Sequence, residues 1–156
     1  MNNLIKLILS VLLCQGAGVV GGFITAKTVK TWYVTLNKPS FNPPDWVFGP
    51  VWTFLYLCMG VSLYLVWKES DNNVINKAVI VFLIQLVLNS LWSILFFGVR
   101  SPFLALIDII FLLIGIALCI ILFYNISKLA GYLMMPYFLW VCFAAVLNTS
   151  LWLMNK

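Results

Sequence analysis

The sequence predicts an all-α membrane protein, a bundle of five transmembrane helices with a long ordered loop between helices 1 and 2. Three observations predict it. First, 64% of the 156 residues are hydrophobic and only 8% are charged, where a soluble domain carries roughly 25% charge. Too little polar surface remains to cover a globule in water, so lipid must solvate the outside. Second, the apolar residues fall into five runs near the roughly 20 residues that a helix needs to span a bilayer. Third, only one connection between those runs is long.

The runs cover 4–26, 46–67, 78–98, 103–123 and 129–153, and together residues 1–156 read as a single transmembrane domain. Met1–Ala26 is read as the first span, because its apolar run is too long for a signal peptide and no clear small-residue cleavage site follows. Asp45 is expected to cap the second span, and Pro50 lies in its early turns, where it can bend the helix. A short charged connection, Lys68–Lys77 with Glu69 and Asp71, leads to the third span. Val99–Ser101 with Arg100 makes a tight turn, and Ser101-Pro102 reads as a cap followed by a first helical residue. Pro136 is placed to kink the fifth span. Loop one, about 19 residues from Lys27 to Asp45, is rich in proline, which lowers the entropy lost on ordering. Its Trp32, Tyr33 and Phe41 fit two roles equally, an interfacial aromatic belt or a lid over the bundle mouth.

Charge and composition exclude several function classes. The net charge of +5 comes from nine Lys/Arg and four Asp/Glu spread along the chain. A nucleic-acid footprint needs a clustered basic patch, so no nucleic-acid partner is expected, and the basic excess suits lipid headgroups better. Lys6, Lys68, Lys77 and Lys128 fall on one membrane face. Lys27, Lys30, Lys38, Arg100 and Lys156 fall on the other, which leaves the orientation undecided. The absence of histidine removes the commonest general base and the commonest haem and zinc ligand, and no metal site is expected. Cys14, Cys58, Cys119 and Cys142 stand singly in apolar runs and read as small core residues.

Polar and aromatic side chains inside the spans are the candidate functional residues, because such groups face the bundle interior or a cavity. Phe48, Trp52 and Tyr56 lie four apart on one face of the second helix. Gln85, Asn89 and Trp92 form a stripe on the third. Asp108 is in the fourth, and Trp140, Ala144 and Asn148 lie four apart on the fifth. At about 1.5 Å per residue, Trp52 and Trp92 sit roughly 9 Å below the face bearing loop one, with Asp108 and Asn148 at similar depth. Four helices thus send aromatic or polar groups beneath the long loop, the pattern of a small-molecule site. Each has a plainer role. Gln85 and Asn89 also serve as interhelical hydrogen-bond partners. Asp108 can pair with Arg100 or stay hydrated near the headgroups, at a cost below the roughly 2.5–3.5 kcal/mol of a mid-membrane charge. Trp46, Trp67 and Trp152 lie at span ends as belt residues. Gly18-x-x-x-Gly22 and Ala17-x-x-x-Gly21 allow a neighbouring helix, of this chain or a second one, to approach closely.

The stretch WYVTLNKPSFNPPDWVFGPVWTFLYLCMG, Trp32 to Gly60, resembles the signature of the translocator protein (TspO) family. Its bacterial members are the tryptophan-rich sensory proteins and its animal member is the peripheral-type benzodiazepine receptor. LNSLWSILFFG (Leu88–Gly98), the ALID around Asp108, and PYFLWVCFAAVLNTSLW (Pro136–Trp152) match as well, in order and over nearly the whole chain. The resemblance points to a bacterial member in the cell membrane. It implies a five-helix bundle, a homodimer, and a cavity under loop one that opens on its side. It also implies porphyrin ligands, together with isoquinoline carboxamide and benzodiazepine-type ligands, and no permanently bound cofactor. The family's cavity residues map onto Trp52, Asn89, Trp92, Trp140, Ala144, Leu147 and Asn148. One departure matters: Thr149 stands where animal members carry the tyrosine of a sterol-binding pattern, so sterol binding is not expected there. Val61–Tyr64–Lys68 and Leu122–Tyr124–Lys128 also satisfy the loose sterol pattern, which shows how little it discriminates.

The resemblance implies tetrapyrrole binding with light-dependent oxidative breakdown of protoporphyrin IX, in which the bound porphyrin is the photosensitiser. No conventional catalytic motif is present. Trp52 and Trp140 are then the reactive indoles. Trp32, Phe48, Tyr56, Asn89, Trp92, Asp108, Ala144, Leu147 and Asn148 complete the expected binding set. A porphyrin transporter and a ligand-sensing receptor are the alternatives. Five spans without an internal repeat argue mildly against transport.

Overall fold

The computed structural model describes residues 2–69 and 73–156, and side chains are described for all of these except 73–75. Five long helices account for most of them: α1 (Asn3–Thr28), α2 (Asp45–Trp67), α3 (Asn73–Ser93), α4 (Pro102–Ile126) and α5 (Lys128–Met154). No strand occurs among the described residues. Each helix is long and apolar enough to cross a membrane, and in each less than half of the apolar window is buried inside the protein. The remaining apolar surface, such as Val19, Phe23, Ile121 and Leu139, faces outward, as a lipid-solvated chain requires. The protein is a multi-pass integral membrane protein.

Neighbouring helices close a ring in the order α1, α2, α5, α4, α3. At the end away from loop one the ring is filled. Phe82 of α3 stacks on Phe123 of α4, centroids 5.5 Å apart and planes 13° from parallel. Met59, Val66, Ala78, Ala130 and Met134 fill the space around them, all without solvent exposure. Ser62 Oγ donates to the Ala130 carbonyl at 2.7 Å, tying α2 to α5. Gly60 lets α1 and α2 touch, since a Cβ there would stand 2.7 Å from Val11 Cα. Lys6 Nζ donates to the Trp67 carbonyl at 3.2 Å, placing a cation at the negative end of α2.

The helix ends follow local chemistry. The Ser101 side chain accepts from the Leu104 amide at 3.3 Å and Pro102 opens α4. Asp45 is the first residue of α2 and Pro44 occupies the cap position, so the expected Asp45 cap is displaced by one residue. Its charge still suits the positive end of the helix. α2 and α5 run continuously through Pro50 and Pro136. α3 begins at Asn73, before the expected start at Ala78. The charged connection read over Lys68–Lys77 falls partly at 70–72, outside the described residues. α3 ends in a π-helical turn, Ile94–Gly98. There the Val99 amide donates to Ile94 at 2.8 Å and the Ser101 amide to Leu95 at 3.0 Å. Arg100 takes φ 60° to reverse the chain. The wide turn buries Phe96 and Phe97 side by side, centroids 4.8 Å apart.

Loop one packs on that aromatic end. Trp32 meets Phe96 edge-on at 5.6 Å, and Phe41 meets Phe143 of α5 at 6.3 Å. Tyr33, only 3% exposed, donates to Asn42 Oδ1 at 2.9 Å and lies under the Lys38 ammonium at 4.7 Å. Burial raises the Tyr33 phenol above its ordinary value, so it stays a neutral donor. Asn37 and Asn155 form a reciprocal pair: the Asn37 amide donates to Asn155 Oδ1 at 2.8 Å and Asn155 Nδ2 to the Asn37 carbonyl at 2.9 Å. The loop is fastened to the end of α5 rather than spread along the membrane surface.

Candidate functional site

Beneath loop one the ring of helices is hollow. A cavity of about 460 Å³ lies between α1, α2, α5 and the upper end of α3, inside the roughly 300–1,000 Å³ range of small-molecule sites. The rows predicted from sequence converge on it, with Gln85 of the α3 stripe left outside the lining. Phe48, Trp52 and Tyr56 line it from α2, Asn89 and Trp92 from α3, and Trp140, Ala144, Leu147 and Asn148 from α5. Tyr33 of loop one and Phe96 and Phe97 of the π turn complete its upper wall.

The aromatic groups brace one another. Trp52 stacks on Tyr56 at 5.5 Å and meets Tyr137 edge-on at 6.2 Å. Phe48 meets Trp140 edge-on at 6.2 Å, and Trp92 stacks on Phe96 at 5.1 Å. Edge-to-face and offset geometries are those that aromatic quadrupoles favour. Most polar atoms are held by one another. Trp92 Nε1 donates to Asn148 Oδ1 at 2.9 Å, and Asn148 Nδ2 donates to the Pro102 carbonyl at 2.7 Å. Tyr56 donates to Asn89 Oδ1. Asn89 Nδ2 donates to Tyr137 Oη at 3.0 Å, and Tyr137 donates to Gln85 Oε1 at 2.9 Å.

The α1 wall is built from small residues. Gly18 makes room for the Tyr56 ring, since a Cβ there would stand 2.5 Å from it, while Gly22, and Gly49 opposite on α2, meet nothing within 4 Å. Val19 lines the cavity yet is 71% exposed. The cavity therefore opens sideways between α1 and α2. Its lower edge is the hydrogen bond from Gln15 Nε2 to the Thr53 carbonyl, 3.0 Å. Gly18 and Gly21 serve packing within the chain, against Tyr56 and Ser93.

Two expected site residues lie elsewhere. Trp32 packs behind the wall, in the apolar cluster with Phe96 and Leu151, and does not line the cavity. Asp108 is 5% exposed on α4, off the cavity lining. Its Oδ2 reaches no partner, Arg100 included, among the described residues. Sequence reasoning missed Tyr33, Phe96, Phe97 and Gln15. Tyr33 fits a belt or a lid equally on sequence, Phe96 and Phe97 carry no polar signal to single them out, and Gln15 is a lone amide whose partner is a main-chain carbonyl.

Five membrane helices in this cyclic order, hollow at one end and closed there by an aromatic lid, define a membrane protein built around a lipid-accessible small-molecule cavity. The chain belongs to the TspO/MBR family, whose family model matches residues 10–153. It is 44% identical over 153 residues to the tryptophan-rich protein TspO of Archaeoglobus fulgidus, covering 98% of this chain and 99% of that one. It is 42% identical over 124 residues to the translocator protein of Homo sapiens, covering 78% and 73%. With the tryptophan-rich sensory protein of Cereibacter sphaeroides it shares 34% over 117 residues, covering 75% and 72%.

Proposed function

We propose that the protein binds flat aromatic ligands of the tetrapyrrole class, protoporphyrin IX among them, in the cavity under loop one and promotes their light-dependent oxidative breakdown. The observation that carries this reading is the joint presence of Trp52, Trp92 and Trp140 on three walls of one cavity. Indole faces stack on flat macrocycles, and the side opening admits a ligand dissolved in lipid. Asn89 and Asn148 supply polar anchoring. The macrocycle absorbs the light and is oxidised, dioxygen is reduced, and Trp52 and Trp140 are the redox-relevant indoles beside it. Loop one, fastened at Asn37 and Asn155, limits access of water from above. Isoquinoline carboxamide and benzodiazepine-type ligands, also flat and aromatic, compete for the same space. The functional unit in this reading is a homodimer.

The decay of protoporphyrin IX under illumination, followed by absorbance with purified protein and with detergent alone, tests the reaction. Faster decay with a new product band is expected. Trp52→Phe and Trp140→Phe should each slow it without abolishing binding. Decay that both variants leave unchanged contradicts the role given to the indoles. A carrier role is the second reading, favoured by the opening between α1 and α2. Porphyrin flux into sealed proteoliposomes in darkness, faster than in empty vesicles, would support it.

A further inference from the structure

The chain Tyr56–Asn89–Tyr137–Gln85 is more than packing. As it stands, all three bonds run from Tyr56 toward Gln85: Tyr56 donates to Asn89, Asn89 to Tyr137, Tyr137 to Gln85. Its far end is unsatisfied. Gln85 is fully buried and its Nε2 has no partner among the described residues. Its near end is Tyr56, a residue of the cavity lining, whose oxygen donates to Asn89 and keeps a lone pair to spare.

The same four side chains can carry the opposite polarity. If both amides rotate by half a turn, which exchanges N and O at little change in shape, every bond reverses. Gln85 Nε2 then donates to Tyr137, Tyr137 to Asn89 Oδ1, and Asn89 Nδ2 to Tyr56, and the Tyr56 proton points into the cavity. Three internal bonds exist in either direction. What changes is the unpaired atom beside Gln85, which passes from an N–H to a carbonyl oxygen, and an unpaired buried N–H is the rarer of the two in proteins.

We propose that this chain is a reversible hydrogen-bond wire that lets one cavity present an acceptor or a donor at Tyr56, and that Gln85 is the positioning residue that permits both. The proposal rests on the reading that the cavity takes flat aromatic ligands, and deepens it. A ligand bearing N–H is met by the wire as it stands. A ligand bearing a carbonyl or carboxylate draws the wire into its reversed state and relieves the unpaired Gln85 N–H. Replacing Gln85 by leucine leaves Tyr137 with Asn89 as its only acceptor, which fixes the reversed direction. The cavity then always offers a proton.

The test uses three tricyclic probes of nearly one shape: carbazole (an N–H donor), 9-fluorenone (a carbonyl acceptor) and fluorene (neither). Their dissociation constants are measured on the wild-type protein and on Gln85→Leu in detergent micelles. In the wild type, carbazole and 9-fluorenone should both bind more tightly than fluorene. In Gln85→Leu, carbazole should weaken relative to 9-fluorenone by roughly three- to tenfold, one net hydrogen bond, while fluorene holds. Gln85 is off the cavity lining, so a purely structural role would move all three probes together. Unchanged ratios with intact binding overturn the wire and leave the ligand-binding reading standing. Failure of all three to bind the wild type overturns both.

Should Gln85→Leu not fold, the wild type with ring-¹³C tyrosine gives an independent answer by infrared difference spectroscopy. 9-Fluorenone should shift two tyrosine C–O bands, because Tyr56 and Tyr137 both change partners, and carbazole at most one. A ketone spectrum with only one band shifted overturns the proposal.

Discussion

The two ends of this bundle are made by the same five helices, yet one is filled and the other hollow. At the filled end Phe82, Phe123 and Met134 are fully buried, and α1 meets α2 backbone to backbone at Gly60 and Val11. Above the Gln15–Thr53 hydrogen bond, α1 and α2 part, and Gly22 and Gly49 face open space. The buried interior of the filled end is mostly aliphatic, with one stacked phenyl pair. The hollow end is lined by indoles, phenols and amides that brace one another into rigid walls. Hydrophobicity inserts both ends into the bilayer, and side-chain shape and hydrogen bonding decide which end has room for a guest.

Substitutions can sharpen that contrast. The largest effect is expected from Phe82→Ala, which removes a fully buried ring from the filled end and should lower stability by about 3–5 kcal/mol. Trp52→Ala should cost markedly less, because the indole is only partly buried against an existing cavity. Reversible unfolding in mixed micelles compares them, and equal losses would erase the distinction. Glycines give the next pair. Gly60→Ala pushes a methyl into the Val11 backbone and should cost about 1–3 kcal/mol. Gly22→Ala meets no atom and should gain up to about 1 kcal/mol from helix propensity. Asn155→Ala removes the clasp on loop one, and faster amide exchange at Asn37 without a change in global stability is the expected result. The smallest effect belongs to Arg100→Gly, which relieves a left-handed residue at φ 60° and should change stability by no more than about 1 kcal/mol, read from the same unfolding curves.

Much of this contrast was legible in the sequence, and the reason is periodicity. Rows spaced by four, such as Phe48–Trp52–Tyr56 and Trp140–Ala144–Asn148, must share a helix face, and side chains too large or polar for lipid turn inward. Depth along each span then placed both rows beneath the long loop. Hydropathy does not encode which helices are neighbours, so the pairing of Gln85 with Tyr137 and of Trp92 with Asn148 was invisible. The early start of α3 at Asn73 was missed because a helix continues past the apolar run wherever its polar residues tolerate helical backbone. The π turn carries no hydropathy signal at all, and it is what sets Phe96 and Phe97 in the cavity wall. Trp32 shares the aromatic character of the lining but packs one layer behind it. Asp108 shows the same limit from the other side: its span position was clear, and its rotation away from the cavity was not.

The central claim is that the hollow end holds a flat aromatic guest. Ala144 lines the cavity from the α5 row, between Trp140 and Asn148, and a larger side chain there takes up its volume while the filled end stays intact. Titrating protoporphyrin IX in darkness, with quenching of tryptophan fluorescence as the signal, compares the wild type with Ala144→Phe. Saturable binding by the wild type, weakened at least tenfold in a variant of unchanged stability, is the predicted result. Equal binding by the two proteins would place the guest elsewhere and contradict the account.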